Sequence, residues 1–279
     1  MKVSKSMKQK HLEMFYPTVR VRTKKAGGSG TIVYSKKFKD ETYTYVITNH
    51  HVIADNINVE KKWNPILKKK IDTEILDTVA VEFFKYNNYS HCIGSFAVEA
   101  DIVAYSEYDG GQDWALLRTR DKENLHEYVA NIYPLDKLDS IHIFDNCFAV
   151  GASLGHPPIA TEGHICYMDD EIDHYKYWMS TAQTIFGNSG GSVYRWSSSR
   201  KQYEYIGIPS RISVQPMGFS ADAITHMGYF IPIDRIYKLL NKNDYQFIYD
   251  DTRDPVSCEK KRLKKQTGST KSNNDDDDI

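Results

Sequence analysis

Three short stretches of the sequence contain side chains that could together hydrolyse an amide bond. His51 follows an apolar run, Asp113 opens a second apolar run, and Ser189 lies among glycines. A serine hydroxyl is a weak nucleophile until a neighbouring base takes its proton, and histidine commonly serves as that base. A carboxylate beside the histidine fixes the imidazole tautomer and stabilises the imidazolium that forms. Because 62 and 76 positions separate the three residues, only the fold can bring them together.

The serine lies in the segment 186–193, whose sequence is Phe-Gly-Asn-Ser-Gly-Gly-Ser-Val. Glycine suits positions where the backbone turns tightly or approaches a ligand closely. Backbone N–H groups at such a turn can stabilise the oxyanion that forms when a hydroxyl attacks a carbonyl. Each residue also has an ordinary interpretation: a serine in a surface turn, a half-buried histidine, and an aspartate capping a helix. Catalysis is favoured because all three occur in one chain.

The order histidine, aspartate, serine is that of the chymotrypsin triad, whereas subtilisin and the α/β-hydrolases use other orders. On these motifs the sequence resembles the trypsin/chymotrypsin-fold serine peptidases, closest to HtrA-like and bacterial or viral trypsin-like members, over about residues 17–242. We expect no PDZ-like domain after the barrels. The resemblance implies that Ser189 is the nucleophile, that His51 is the base and later the acid, and that Asp113 orients the imidazole. The backbone N–H groups of Gly187 and Ser189 would form the oxyanion hole.

Two glycine-rich segments extend the resemblance. The segment 27–30, Gly-Gly-Ser-Gly, resembles the family's Gly-Ser-Gly segment at the start of the first barrel. A phosphate-binding loop would instead need a following Lys-Ser or Lys-Thr pair and a helix, and neither is indicated. The segment 151–155 resembles the family's Gly-x-Pro-x-Gly loop, with Ser153 where proline is common. Pro209 departs from the family pattern, because proline cannot donate a strand hydrogen bond.

Either of two adjacent histidines could be the base. Neighbouring residues of a strand face opposite sides, so only one of His50 and His51 can face a cleft. The family places its catalytic histidine directly before an apolar pair, which here is Val52-Ile53 and selects His51. We therefore expect His50 to be structural, and the same alternation argues against a metal site made by the two imidazoles.

The resemblance also implies a set of substrate-binding residues. Gln183 would lie at the base of the S1 pocket and Gly228 on its wall, while Ser210 and Arg211 belong to the strand that pairs with the substrate backbone. Gln183 is neutral, so the buried carboxylate that selects lysine or arginine is missing. A medium apolar or uncharged polar P1 side chain is therefore predicted. Arg211 or His226 could instead favour an acidic residue.

Asn188 bears on activation. Chymotrypsin-like zymogens have an aspartate directly before the serine, and this aspartate pairs with a newly cut N-terminus. Asparagine carries no charge and cannot form that ion pair. The resemblance therefore implies that this chain needs no N-terminal cleavage to become active.

The apolar pattern predicts an all-β fold. Many short runs alternate with period two between Gly, Pro and Asn turns, and one helical segment closes the pattern. We predict two antiparallel six-stranded β-barrels, as in chymotrypsin, with a short C-terminal helix, and a solvated basic loop over residues 60–72. The predicted organisation is an N-terminal extension (1–14), a peptidase domain (15–245, with barrels over about 15–120 and 135–232 and a helix over 234–242), and a flexible charged tail (246–279).

Composition narrows the class of protein and its partners. A formal net charge of −1 argues against a general nucleic-acid or membrane-surface binder. The four cysteines form no CxxC pair, so neither a zinc site nor a disulfide framework is indicated. No signal peptide or membrane-spanning run is found, so a cytoplasmic or virus-associated location is expected. We expect a protein or peptide substrate, no cofactor, no metal, no specific nucleic acid and no membrane, and leave the oligomeric state open.

The leading hypothesis is a serine endopeptidase that forms an acyl-enzyme on Ser189. A catalytically silent peptidase fold kept for binding is the alternative from another functional class. The complete set of motifs argues against this binding module, because binding alone has no physical need for all of them. A processor of viral structural proteins would be the same enzyme with a narrower substrate.

Overall fold

A computed structural model describes residues 4–65, 68–106, 111–217 and 220–272, with side chains in these ranges except over 213–222 and 266–272. Strands dominate, and the predicted fold class is confirmed: two closed six-stranded antiparallel barrels follow one another along the chain. No helix within the described ranges combines the length and the apolar character needed to cross a bilayer.

The first half of the chain forms one barrel and a separate hairpin. Strands β1, β2, β3, β8, β7 and β6 close the barrel in that order, and β4 pairs only with β5. Alternate residues of the barrel strands face inward, and their aliphatic side chains fill the interior. The strands are β1 (Thr18–Arg22), β2 (Gly27–Phe38), β3 (Glu41–Thr48), β4 (Ile57–Asn64), β5 (Lys69–Leu76), β6 (Val79–Asn87), β7 (His91–Tyr105) and β8 (Ala115–Thr119).

The second half repeats the architecture. Strands β10, β11, β14, β13, β12 and β9 close the second barrel in that order. Its core is continuous with the buried aromatic residues that separate the two barrels. The strands are β9 (Asn146–Gly151), β10 (Ile159–Ile172), β11 (Tyr175–Ser180), β12 (Ser192–Ser197), β13 (Gln202–Met217) and β14 (Ser220–Pro232).

Short helices lie at the ends of the chain and beside the barrels. The predicted closing helix is present as α3 (Ile233–Lys242), an amphipathic helix whose apolar face is buried. The α-helices are α1 (Lys5–Lys10), α2 (His50–Ile53), α3 (Ile233–Lys242) and α4 (Pro255–Ser272); α1 continues as a π-helical turn (His11–Phe15), and 3₁₀ turns cover Ala54–Asn56, Leu135–Ser140, Ser153–Gly155 and Gln246–Ile248.

The hairpin of β4 and β5 replaces the loop predicted over residues 60–72. Eight residue pairs join the two strands, from Ile57–Leu76 to Asn64–Lys69. Its apolar side chains, which include Val59 and Trp63, are mostly exposed. Neither face of the hairpin is buried in a core, so neither needs to be uniformly apolar. Lysines therefore occur on both faces, and the sequence lacks the regular alternation of apolar and polar residues that marks a strand.

The segment predicted to be a flexible tail from residue 246 is instead packed in its first part. Phe247 is fully buried, and its ring lies 5.1 Å from the ring of Tyr34 and 5.2 Å from that of Tyr45 on the first barrel. The helix α4 follows, and Cys258 in its first turn is buried. The composition is too polar for a core of its own, but a few apolar anchors suffice when the barrel supplies the other surface. The terminal aspartates lie outside the described residues.

Asp244 fastens α4 to the body of the protein. Its side chain is only 3% exposed, and its carboxylate lies 2.7 Å from Lys261 Nζ and 2.5 Å from Lys265 Nζ. Burial raises the pKa of Asp244, but the hydrogen bonds and charges of the two lysines outweigh that effect and hold it below 3.8. The carboxylate therefore stabilises the fold above the unfolded-state pKa, and this stabilisation is lost as the pH falls through the lower folded-state value.

Replacing Asp244 with asparagine is expected to lower the free energy of unfolding by about 2 kcal/mol at pH 7, because charge-assisted hydrogen bonds are lost. Asparagine tolerates the positive φ of 57° at this position, so the change tests the charge. Urea unfolding measures it. Asp251→Asn is the control, because the ion pair of Asp251 with Lys36 is exposed and contributes under about 1 kcal/mol. Equal effects of the two substitutions would contradict the role of Asp244.

Candidate active site

His51 and Asp113 form a close pair at the end of the first barrel. The imidazole Nδ1 lies 2.8 Å from Asp113 Oδ2 and 3.0 Å from Oδ1, and the backbone N–H of His51 donates to Oδ1 at 3.0 Å. The aspartate side chain is 10% exposed, while the imidazole is 47% exposed. The carboxylate therefore binds Nδ1 of the imidazole, and the half-exposed ring keeps Nε2 available to another group.

Neighbouring groups hold the Asp113 carboxylate in place. Ser210 Oγ donates to Asp113 Oδ2 at 2.5 Å, and the Asn49 side chain donates to the Asp113 carbonyl at 2.7 Å. Burial raises the pKa of Asp113, but the hydrogen bonds from His51 and Ser210 and the charge of His51 outweigh it and lower that pKa below its ordinary value. Asp113 is thus ionised at neutral pH, as an orienting carboxylate must be.

The loop that carries Ser189 lies between the two barrels. The N–H of Ser29 on β2 donates to the Ser189 carbonyl at 2.8 Å, and the N–H of Gly190 donates to the Pro209 carbonyl on β13 at 3.1 Å. A side chain at Gly190 would overlap the backbone of β2 and lie 3.1 Å from the N atom of Asn49, two residues before His51. The structure thus brings the three predicted residues to one side of the seam between the barrels. Among the described residues, the Ser189 hydroxyl has no hydrogen-bond partner, His51 included.

The backbone N–H groups of Gly187 and Ser189 are the predicted oxyanion donors. Gly187 has a φ of +95°, which is accessible mainly to glycine. The preceding carbonyl, of Phe186, accepts a hydrogen bond from Leu154 N, so the Gly187 N–H points away from that turn. Within the described part of the chain, neither the Gly187 N–H nor the Ser189 N–H has a protein acceptor. Two unpaired donors next to a serine hydroxyl suit the stabilisation of a developing negative charge.

The two histidines are neighbours in a helix, not in a strand. Residues 50–53 form α2, so the premise that neighbouring strand residues face opposite sides does not apply here. His50 is 7% exposed and stacks on Tyr105, with ring centroids 5.6 Å apart and an interplanar angle of 15°. His51 is the histidine whose imidazole is seen to contact the Asp113 carboxylate.

The predicted substrate-binding residues differ in their surroundings. Gln183 is exposed, and its carbonyl accepts a hydrogen bond from Thr161 at 2.8 Å. Gly228 lies against Thr184, whose hydroxyl would overlap a side chain there. Arg211 is 3.2 Å from Asp173 and lies over the Tyr177 ring.

The side chain of Ser210 makes a contact that the resemblance did not imply. The Ser210 side chain points to Asp113, so its hydroxyl supports the aspartate and only its backbone is left for a substrate. The neighbouring Pro209 is accommodated because the register of β13 and β14 shifts between Pro209 and Arg211.

Ser29 is a site residue that the sequence did not reveal. Its fully buried hydroxyl donates to the Gly187 carbonyl at 2.5 Å and accepts from the Ala152 N–H at 2.7 Å. Ser29 lies on the first barrel and the other two residues on the second. In the sequence Ser29 stands out only as part of the segment 27–30, which resembles the family's Gly-Ser-Gly segment, and that resemblance gives its side chain no role.

Asn188 is held by uncharged partners. Its side-chain oxygen accepts a hydrogen bond from the Ser153 hydroxyl and a longer one, 3.5 Å, from the Ile185 N–H. Asn188 is buried, and no cation contacts its side chain within the described residues. Ser153, where proline is common in the resembling family, thus has a clear structural role.

Comparison with known proteins gives a consistent result. A family model described as a trypsin-like peptidase domain matches residues 28–200, which contain all three candidate catalytic residues. A solved structure titled "Crystal structure of Deg5" matches with a TM-score of 0.54 and 17% sequence identity, covering 85% of this chain and 95% of that chain. At that identity the likeness concerns the fold. None of the curated proteins that were compared matches the chain.

Proposed function

Since the chain belongs to the trypsin-like peptidase domain family, we propose that it is a serine endopeptidase that uses His51, Asp113 and Ser189. The observation that carries the proposal is the 2.8 Å contact of His51 Nδ1 with the buried Asp113 carboxylate, beside a serine loop with two unpaired N–H groups. A protein or peptide is the substrate.

The proposed reaction proceeds through an acyl-enzyme. His51 Nε2 takes the Ser189 hydroxyl proton as Oγ bonds to the scissile carbonyl carbon, and the carbonyl oxygen becomes an oxyanion facing the N–H groups of Gly187 and Ser189. The C–N bond then breaks, and His51 gives its proton to the leaving amine. Water, deprotonated by His51, attacks the ester, and the released Ser189 oxygen regains the proton. Asp113 stays ionised throughout.

The Ser189 hydroxyl and His51 need not be hydrogen-bonded before substrate arrives. Catalytic hydrogen bonds are often long in unliganded enzymes and tighten in the substrate complex. Rotation of the Ser189 side chain about one bond changes the direction of its hydroxyl without moving the backbone, which Ser29 and Pro209 hold.

Labelling with a fluorophosphonate tests the proposal. The wild type is expected to be labelled, and both Ser189→Ala and His51→Ala are expected to lose labelling while keeping the wild-type circular dichroism spectrum. Loss is expected because the first variant lacks the nucleophile and the second lacks the base. A folded wild type that resists labelling and cleaves no peptide would instead favour a silent binding module.

The uncut chain is expected to be labelled without prior removal of N-terminal residues. Asn188 already has its hydrogen-bond partners, so no new N-terminal ammonium group is needed to order the loop. The mass of the intact labelled protein should equal that of the 279-residue chain plus the label. Labelling found only on shortened chains would contradict this expectation. Asn188→Asp should label more slowly, because it buries a charge with no cationic partner.

A further inference from the structure

A cleft adjoins the loop that carries the predicted oxyanion donors, and none of the predicted S1 residues lines it. It has a volume of about 420 Å³ and lies between the β1–β2 turn of the first barrel and the two loops 152–155 and 186–187 of the second. Gly187 and Gly28 both line it, and Gly28 is adjacent to Ser29, whose N–H donates to the Ser189 carbonyl. Gln183, Ser210, Arg211 and Gly228 are not among its lining residues.

The position of this cleft identifies which part of a substrate would occupy it, given the proposed function. An extended peptide whose acyl part pairs with β13 must leave the site past Ser189 on the other side. On that side lies the cleft beside Gly187 and Gly28. It would hold the leaving amine, which His51 protonates when the C–N bond breaks. The cleft therefore suits the first two residues after the scissile bond.

Two arginines give this cleft a positive charge. Arg20 and Arg22 project from the same face of β1, and both contact the buried carboxylate of Glu82, at 2.6 Å and 3.4 Å. Glu82 is the one acidic residue near them among the described contacts, and its pKa lies below its ordinary value: burial raises it, but the hydrogen bonds from Ser95 and Arg20 and the charges of both arginines outweigh that effect. Two cations share one anion, so a net positive charge faces the cleft.

Arg22 is the group available to a ligand. Arg20 is mostly buried and also donates to the Gly155 carbonyl, so its guanidinium is held in place. Arg22 is 51% exposed, and its Nε lies 3.4 Å from Glu82; within the described residues its two Nη groups donate no hydrogen bond. A guanidinium with free parallel donors matches a carboxylate.

The distances along the strands agree with this role. Arg22 pairs with Gly27 on β2, two residues before Ser29. Two residues of a strand span about 7 Å, and paired residues lie about 5 Å apart. An arginine side chain from this position reaches a ligand residue one or two positions past the scissile bond, since each extended residue spans about 3.3 Å.

Exposed apolar side chains complete the cleft. Phe186 is 70% exposed and Leu154 is 64% exposed, and both line the cleft from the loops of the second barrel. We propose that this cleft selects substrates with an acidic residue within the first two positions after the scissile bond, with Arg22 as the specificity-determining side chain, a proposal that rests on the proposed endopeptidase function.

Matched peptides test the proposal. A random peptide library, read by mass spectrometry, first supplies a cleaved sequence, and three versions of it then place glutamate, glutamine or lysine at both positions after the cut. The wild type is expected to show a kcat/KM about 5- to 10-fold higher for glutamate than for lysine, the size expected of one partly exposed ion pair. The ratio should shrink in 0.5 M salt, where the screening length is about 4 Å.

Charge reversal assigns the effect to one residue. Arg22→Glu is expected to invert the order, so that lysine is preferred. Arg120→Glu is the control, since Arg120 is 52% exposed, lies outside the cleft, and gives the same change in net charge. A glutamate-to-lysine ratio near one in the wild type, or an equal change in the two variants, would overturn the proposal.

The outcome is separable from that of the proposed function. If the wild type cleaves no member of the library, fluorescence anisotropy measures binding to the Ser189→Ala variant of three peptides that share one otherwise uncharged sequence and carry glutamate, glutamine or lysine at two adjacent positions. Tighter binding of the glutamate peptide that is lost in Ser189→Ala/Arg22→Glu supports the cleft assignment even though the peptidase proposal has failed. Equal binding of all three peptides overturns it.

Discussion

Replacing Asp113 with asparagine is expected to lower kcat/KM by about 10⁴-fold, the effect of the same substitution in the serine peptidase triad. The carboxylate accepts the Nδ1 proton of His51 and so leaves Nε2 free to take the serine proton. An amide can donate to Nδ1 instead, which puts the imidazole proton on Nε2, where it faces the serine and blocks catalysis. Initial rates on a cleaved peptide measure the change.

The control for this substitution is Asp101→Asn. Asp101 lies on the same barrel and pairs with Arg120 at 2.8 Å, but it is 46% exposed and far along β7 from the site. It should leave kcat/KM unchanged. A loss of less than 10-fold for Asp113→Asn, with the fold intact by circular dichroism, would show that Asp113 does not orient the base.

Replacing Ser29 with alanine is expected to lower kcat by about 10²-fold with little change in KM, which makes Ser29 a positioning residue. Its hydroxyl is the group that holds the Gly187 carbonyl, and the Gly187 N–H is one of the two proposed oxyanion donors. Loss of a single oxyanion donor costs about 10²- to 10³-fold in kcat, which sets the upper limit for losing its support. Substrate binding in the ground state does not use this contact, so KM should stay near the wild-type value.

Ser35→Ala is a closely matched control for Ser29→Ala. Ser35 lies on the same strand, is buried, bonds the Thr44 hydroxyl at 2.8 Å and accepts from the His126 N–H at 3.0 Å. Each substitution therefore removes one hydroxyl and leaves one backbone N–H without its acceptor, so both should lower stability by about 1–3 kcal/mol. Only Ser29→Ala should lower kcat. Similar kcat values for the two variants would contradict the positioning role.

The barrels and the His51–Asp113 pair were within reach of the sequence. Barrel strands bury one face, so period-two alternation and turn residues mark them directly. The three candidate catalytic residues stand in motifs whose chemistry requires particular residue types. Their order along the chain, histidine, aspartate and serine, then indicated the chymotrypsin-like fold. Ser189 and the oxyanion donors stay predictions until labelling tests them.

The supporting contacts were beyond reach because they join distant segments through ordinary residue types. Ser29 and Gly187 are 158 positions apart, and Ser210 and Asp113 are 97 apart. A serine that fixes a loop has the same local sequence as one that lies in a turn. The packing of the segment before α4 was hidden for a different reason: Tyr245, Phe247 and Ile248 form only a short apolar run in a polar stretch, and the surface that covers Phe247 is on the first barrel.

The hydroxyl of Ser29 also ties the timing of activity to the completion of the chain. Its donor atom belongs to the half that leaves the ribosome first, and the carbonyl that it holds belongs to the half that leaves last. A nascent first barrel, or a second barrel that has not yet docked, lacks the hydrogen bond between Ser29 and the loop that carries Ser189. The proposed peptidase activity would then arise only after the two barrels have docked. An unfinished chain would therefore not cleave other nascent copies of itself.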